Sequence, residues 1–261
     1  MHRIAPTPSG YLHPGNAANF AANALLADGG PLLLRIDDLD RERFRPEYLE
    51  DVFEVLHWLG IDWTHGPKDA TDFERHWSQE YRMTLYLEAL EELRTRAPAQ
   101  VFACPCSRKE LADGVHVHGC LRGSIAFNRP AVAWRVDTRG TILHESMPWF
   151  AVRKKDGRPS YQLACTVDDL HFGITECARG EDLRDSTAAQ ALLSDLLGYP
   201  PLLERIRFVH HPLILEGGEK LSKSQGSRGV REWGVSAKEI FQIAENWLRV
   251  TPSNHPPCAP P

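Results

Sequence analysis

The sequence predicts an α/β fold built on a parallel sheet and interrupted by an inserted module. Two observations carry that expectation. A short strand pattern, a helix pattern and a second strand pattern follow one another within the first 36 residues, the order that opens a parallel sheet through a crossover helix. The same texture returns after residue 174, beyond a stretch from Ala97 to Gly123 dominated by Cys, Pro, Gly and His.

Taken in order, Arg3 to Ala5 reads as a strand, and Pro6, Pro8, Ser9 and Gly10 force a loop. An Ala-rich helix then runs from about Asn16 to Ala27, and Leu32 to Ile36 is a buried strand. Pro46 suits a first helical turn; Leu49, Val52, Phe53, Leu56 and Leu59 recur at helical spacing before Gly60 closes the segment. Ser78 to Arg96 reads as a second helix. Residues 97 to 123 look like an insertion with little core of its own, and strand patterns on either side of Asp156-Gly157 suggest a hairpin. Ile174 to Ala178 is a strand, Ser186 is a cap for a helix ending near Gly198, and the proline-rich stretch from Thr251 is expected to be disordered.

The chain has 261 residues, 42% hydrophobic and 25% charged, enough to bury a sizeable core. Its net charge of −5 argues against a protein that coats nucleic acid through a broad basic field. Local basic clusters remain, at Arg153, Lys154, Lys155 and Arg158, and more loosely at Arg205, Arg207, Lys220, Lys223, Arg228 and Arg231; each alone also fits a solvated face. No apolar run reaches the roughly 20 residues needed to span a bilayer, and the start has no basic-then-apolar leader, so a cytoplasmic protein without membrane contact is expected.

Two constellations carry chemistry. The loop from Arg3 to Asn16 delivers His13, Gly15 and Asn16 to a helix N-terminus, where unpaired N–H groups and a partial positive charge suit phosphate, and Gly15 lets a flat base approach the backbone. Far downstream, Lys220-Leu-Ser-Lys223-Ser224 sits between glycines, and its lysines can follow a phosphate as charge shifts to a leaving group. Either motif alone also fits an ordinary surface loop. A third grouping, Cys104-Pro-Cys106 with His116, His118 and Cys120, can offer three thiolates and an imidazole to a tetrahedral structural zinc.

The two phosphate motifs, in this order, resemble the signature pair of class I aminoacyl-tRNA synthetases. The opening Arg-Ile-Ala-Pro-Thr-Pro-Ser-Gly, then Arg35-Ile-Asp37-Asp38-Leu-Asp40, Tyr161 ahead of Val167-Asp168-Asp169, and Arg179-Gly180-Glu181-Asp182 look like the core of glutamyl-tRNA synthetases, over about Arg3 to Gly226. More narrowly, Arg-Gly-Glu-Asp-Leu-Arg-Asp185-Ser186-Thr187 and Leu-Leu-Gly198-Tyr199-Pro200 resemble their short glutamyl-queuosine tRNA(Asp) synthetase branch, which charges a modified base instead of a 3′ terminus.

That resemblance implies a Rossmann-like catalytic domain at 1–97 and 162–205, an inserted zinc-bearing module contacting the acceptor at 98–161, the lysine loop with a small helical appendage at 206–250, and a tail at 251–261. It implies glutamate binding by Arg3, Ile4, Ala5, Pro6, Thr7, Asp37, Tyr161 and Arg179, and ATP binding by His13, Gly15, Asn16, Lys220 and Lys223. His13 and Lys223, with Mg²⁺, stabilise phosphate charge. Two positions depart from the family pattern. Asp37 replaces a glutamate, so its contact with the substrate amino group is expected to lengthen or pass through water, and Asn16 replaces a second histidine and brings no positive charge. In the short branch the fourth zinc ligand is a tyrosine four positions before the last cysteine, which puts His116 in that seat with His118 its competitor.

Full-length glutamyl enzymes continue into helical anticodon-binding domains, whereas this chain ends 37 residues after Ser224. A globule of this size has a radius of gyration of about 18 Å, too small to hold both ends of one tRNA. The expected acceptor is therefore queuosine in the anticodon stem-loop of tRNA(Asp), held by a monomer. The rival readings are a truncated enzyme charging a 3′ end, a nucleotidylyltransferase, and a degenerate synthetase that only binds RNA or a protein partner.

Overall fold

The computed structural model describes residues 1–107, 110–111, 120, 125–216, 219–220 and 229–251. His116, His118, Lys223 and the tail from Pro252 lie outside them. The chain divides into two compact units, one formed by residues 1–81, 172–184 and 203–261 and the other by 82–171 and 185–202. The second unit is wider than the 98–161 insertion expected from sequence, since it also takes in the helix before the insertion and two after it.

In the first unit, β1 (His2–Ile4), α1 (Pro14–Ala27) and β2 (Leu32–Leu34) form the expected crossover, followed by α2 (Pro46–Leu59) and the short turn α3 (Ala70–Asp72). β6 (Glu176–Gly180) and β7 (Arg207–His211) complete a four-stranded sheet of order β2-β1-β6-β7. All three pairings are parallel. β1 therefore connects outward to β2 on one side while β6 enters on its other side, which makes the gap between β1 and β6 a switch point where the carboxyl ends of strands leave a crevice.

α1 sits close to the sheet because Ala17, Ala18, Ala21 and Ala22 are buried and bring little bulk. It also packs on α8 (Ala237–Val250), which buries Ile240, Ala244 and Trp247, one face at helical spacing, in the same core. Burying a side chain of the size of Ile240 contributes roughly 1.5–3 kcal/mol. This corrects the expectation for 206–250: β7 belongs to the sheet and α8 to the core, so neither is an appendage. α8 starts cleanly because Ser236 and Glu239 form a reciprocal capping box. Gly66 lies at φ 107°, and a side chain there would collide with the Leu34 carbonyl, so the chain can run beside β2 only as glycine.

In the second unit, α4 (Met83–Arg96) packs on α5 (Tyr161–His171), and α5 packs on the antiparallel sheet β3 (Val101–Cys104), β4 (Ala133–Asp137) and β5 (Trp149–Arg153). The remaining helices, α6 (Arg184–Leu196) and α7 (Leu202–Arg205), run across the division between units, and a short antiparallel pair, β8 (Leu215–Glu216) and β9 (Glu219–Lys220), follows β7 in the first. No helix among the described residues is long and apolar enough to cross a membrane.

Three local expectations are corrected. The helix expected from Ser78 opens as a 3₁₀ turn, Gln79–Arg82, and becomes an α-helix only at Met83; the Asp38 carboxylate accepts from Ser78 Oγ at 2.6 Å and from the Gln79 amide at 2.8 Å and fixes the start of that turn. The hairpin at Asp156-Gly157 is a tight turn with one bridge, Arg153 to Pro159, after which the chain enters α5; the strand partner of β5 is β4. Ser186 is not a cap, since α6 already starts at Arg184, and its hydroxyl accepts from Gln162 Nε2 at 3.0 Å instead.

Candidate active site

The carboxyl ends of β1 and β2 bring the first group of residues together. Beyond the strands the ladder continues, with the Arg35 amide donating to the Ile4 carbonyl at 2.9 Å and the Asp37 amide to the Pro6 carbonyl at 2.8 Å. Arg3, Ile4 and Pro6 are buried, Ala5 and Thr7 partly so. Arg35 grips Asp37 through both oxygens, at 2.7 and 3.0 Å, and both side chains are buried. The shortened carboxylate is thus held in a fixed bidentate pair, a contact the sequence did not suggest.

α1 begins at this edge. His13 caps it: Nδ1 accepts from the Gly15 amide at 3.1 Å, and Asn16 Oδ1 accepts from the His13 amide at 3.2 Å. With Nδ1 used as an acceptor, the neutral ring carries its proton on Nε2. A Cβ on Gly15 would lie 3.0 Å from the His13 ring, so glycine is what lets the imidazole fold over the first turn. Asn16 spends its carbonyl oxygen on the cap, which leaves its amide hydrogens as what it can offer a phosphate. The Leu12 amide donates to the buried Asp51 of α2 at 2.8 Å and fixes the loop that leads in.

Arg179, on β6, is buried, and its guanidinium lies 5.2 Å from the Phe208 ring centroid on β7. Next to it, burial pushes the His210 pKa down to about 4, with Arg179, Arg184 and His211 adding in the same direction. The folded chain therefore holds His210 neutral while the unfolded chain takes up a proton below about pH 6.5. Its stabilising effect is complete above pH 6.5 and is lost as pH falls toward 4. After a discount for its partial solvent exposure, the expected loss is about 2 kcal/mol. Urea denaturation of the wild type and His210→Asn at pH 7 and pH 4.5 checks this: the wild type should lose more stability than the variant, and equal losses would refute it.

Most of the chain matches the description "tRNA synthetases class I (E and Q), catalytic domain", over residues 1–116 and 106–245. The chain belongs to this family. Among similar proteins are the Glutamyl-Q tRNA(Asp) synthetases of Nitratidesulfovibrio vulgaris, 35% identical over 91% of this chain and 83% of that one, and of Parasynechococcus marenigrum, 37% identical over 96% and 83%. A Glutamate--tRNA ligase of Thermosynechococcus vestitus is 33% identical over 88% of this chain but only 53% of its own length. In fold, the chain resembles the glutamate-tRNA synthetase of Elizabethkingia anophelis, with a TM-score of 0.66 and 24% identity over 89% of this chain and 53% of that one. It thus spans about half the length of that solved synthetase.

In this class I synthetase the other expected residues belong to other elements or fall outside the described residues. Tyr161, the first residue of α5, is 42% exposed and belongs to the second unit. Lys220 ends β9, and Lys223 is outside the described residues. In the second unit the Sγ atoms of Cys104, Cys106 and Cys120 all lie within 4.8 Å of one another, buried with Phe102 and flanked by Leu111, Ile125 and Trp149. Burial, then the Cys106 and Cys104 thiols, push the Cys120 pKa up to about 12. Sequence reasoning missed Asn19 and Asn23, whose only signal was two amides on an otherwise alanine-rich helix, and His211, the last residue of β7.

Proposed function

We propose that this chain activates glutamate with ATP and transfers it to the queuosine of tRNA(Asp). The observation that carries the reading is its likeness to proteins named Glutamyl-Q tRNA(Asp) synthetase at 35–37% identity, of which it covers 83–84% in four cases. Buried arginines and a histidine-capped helix at the switch point support it from the geometry.

In this reading Arg3 and Arg179 pair with the side-chain carboxylate of glutamate, with the stretch Ile4 to Thr7 beside them. Asp37, already held by Arg35, presents a fixed negative edge to the substrate ammonium. The ATP phosphates, with the Mg²⁺ they carry, lie at the α1 N-terminus, where the first-turn amides and His13 Nε2–H donate to them. The glutamate carboxylate attacks the α-phosphorus and pyrophosphate leaves, its added charge drawn off by Lys220 and Lys223. A hydroxyl of the queuosine ring then attacks the acyl carbon and AMP departs. The chain acts in the cytoplasm as a monomer, its second unit gripping the anticodon stem-loop.

The three cysteines fit a structural zinc: thiolates bound at about 2.3 Å around a tetrahedral ion would lie just under 4 Å apart, close to the 3.6 Å between Cys106 and Cys120 Sγ. His116 or His118 would supply the fourth ligand. Elemental analysis of protein purified without added metal should give about one zinc per chain, and chelation should lower its stability. A metal-free, chelator-insensitive protein would refute the site.

The functional test is the acceptor. tRNA(Asp) bearing queuosine should accept glutamate, with the label recovered on the anticodon nucleoside after nuclease digestion, and tRNA(Asp) lacking queuosine should accept none. Efficient charging of the unmodified tRNA, or of glutamate tRNA, would overturn the proposal.

A further inference from the structure

β1 and β6 are paired at His2 with Glu176, at the amino ends of the strands. Two residues on, an asparagine side chain takes the place of a strand. Asn23 of α1, buried, accepts from the Ala178 amide at 2.8 Å and donates to the Ala178 carbonyl at 3.0 Å. One turn earlier, Asn19 Nδ2 donates to the same carbonyl at 3.0 Å and faces His211 Nε2 at 2.9 Å. A carbonyl on the other side of this amide fixes which end is nitrogen, so His211 Nε2 is an acceptor. The opposite ring nitrogen, Nδ1, lies 2.8 Å from the Pro212 carbonyl and must carry the proton. His211 is therefore neutral, in one tautomer, with both nitrogens used. Its ring lies flat on Trp247 of α8, centroids 3.9 Å apart and planes 4° from parallel.

This ring joins three things that the proposed reaction needs in register. α1 starts at His13, β6 carries Arg179 directly after Ala178, and β7 ends at His211 before the short pair β8–β9 and Lys220. Packing alone would be met by any flat ring between α1 and Trp247. The use of both ring nitrogens, one toward α1 and one toward the Pro212 carbonyl, adds a directional link that packing does not require. We propose that His211 is a positioning residue, which through Asn19 and the Pro212 carbonyl sets the exit of β7, and with it the backbone that leads to Lys220, against α1, while Trp247 braces it from the C-terminal helix. The inference rests on the reading that the chain activates glutamate.

The experiment measures glutamate-dependent ATP–pyrophosphate exchange for wild type, His211→Phe, His211→Asn and Asn19→Leu, with thermal unfolding of each. His211→Phe keeps a flat ring on Trp247 and loses both hydrogen bonds; kcat should fall about 10-fold or more, since small misplacements of a reacting group carry costs of that order. The KM for glutamate should stay within about twofold, because Arg3 and Arg179 are untouched. His211→Asn, whose amide can still donate to the Pro212 carbonyl, should recover much of the loss. Asn19→Leu, near in volume, removes the donor facing Nε2 and should lower kcat without lowering the glutamate affinity. Wild-type kcat in His211→Phe, or an equal loss in His211→Asn, overturns the inference while the functional reading stands. A kcat loss that merely tracks lost thermal stability across the variants also overturns it. A folded wild type with no exchange overturns both.

Discussion

Asp168→Ala should destabilise the second unit by about 3–5 kcal/mol, the cost of breaking a buried ion pair from one side. Asp168, on α5, is fully buried; Arg82, at the start of α4, donates to it through Nε at 2.8 Å and NH2 at 3.2 Å, and Tyr86 donates its hydroxyl at 2.8 Å. Arg82 also reaches the Tyr86 oxygen at 3.2 Å, which closes a three-membered network. Burial alone would lower the Arg82 pKa, but Asp168 and Tyr86 outweigh it and raise it, and burial followed by the charge of Asp168 raises that of Tyr86. Removing the carboxylate strands a guanidinium where water reaches it poorly. Tyr86→Phe removes one neutral donor and should cost only about 1–2 kcal/mol. Urea denaturation of both variants checks the order, and equal effects would show that Asp168 carries no special weight.

The parallel sheet was legible because its first crossover is local: α1 lies between β1 and β2 with only a short loop on each side, and α2 announces itself by Leu49, Val52, Phe53, Leu56 and Leu59 ahead of Gly60. β7 was not legible. Arg207-Phe-Val-His-His does not alternate, and the segment becomes a strand by pairing along β6 from Glu176–Arg207 to Gly180–His211, a contact its own sequence does not announce. The bend at Ser78 has the same origin, since it depends on Asp38, 40 residues earlier. At the candidate site, Arg3, His13, Asp37 and Arg179 were marked by motif, and in the fold each stands on a strand of the parallel sheet, just beyond one, or at the start of α1. The partners that hold them, Arg35 for Asp37 and Gly15 for His13, follow from distances that no spacing rule contains. Cys104, Cys106 and Cys120 were legible because β3 ends at Cys104, so Cys106 follows in the same local turn, and only Cys120 had to return from elsewhere.

Lys223→Ala should lower the rate of adenylate formation by about 100-fold, or about 2.7 kcal/mol in the barrier, with little effect on stability. In the proposed reaction the γ- and β-phosphates gain charge as the bond to the α-phosphorus breaks, and a lysine that meets them mainly at that stage lowers the transition state more than the bound substrate. The loss should therefore fall on kcat, leaving the KM for glutamate near its wild-type value. Arg179→Ala is the counterpart. Arg179 is buried on β6, and in this reading pairing with the substrate side-chain carboxylate is a ground-state interaction, so its loss should raise the KM for glutamate and relax selection against uncharged amino acids. Pyrophosphate exchange at varied glutamate and ATP concentrations separates the two effects. If Lys223→Ala raised only the KM for glutamate, or Arg179→Ala lowered only kcat, the two residues would have to exchange the roles given to them. If neither changed exchange at all, the catalytic role given to Lys223 and the binding role given to Arg179 would both be wrong.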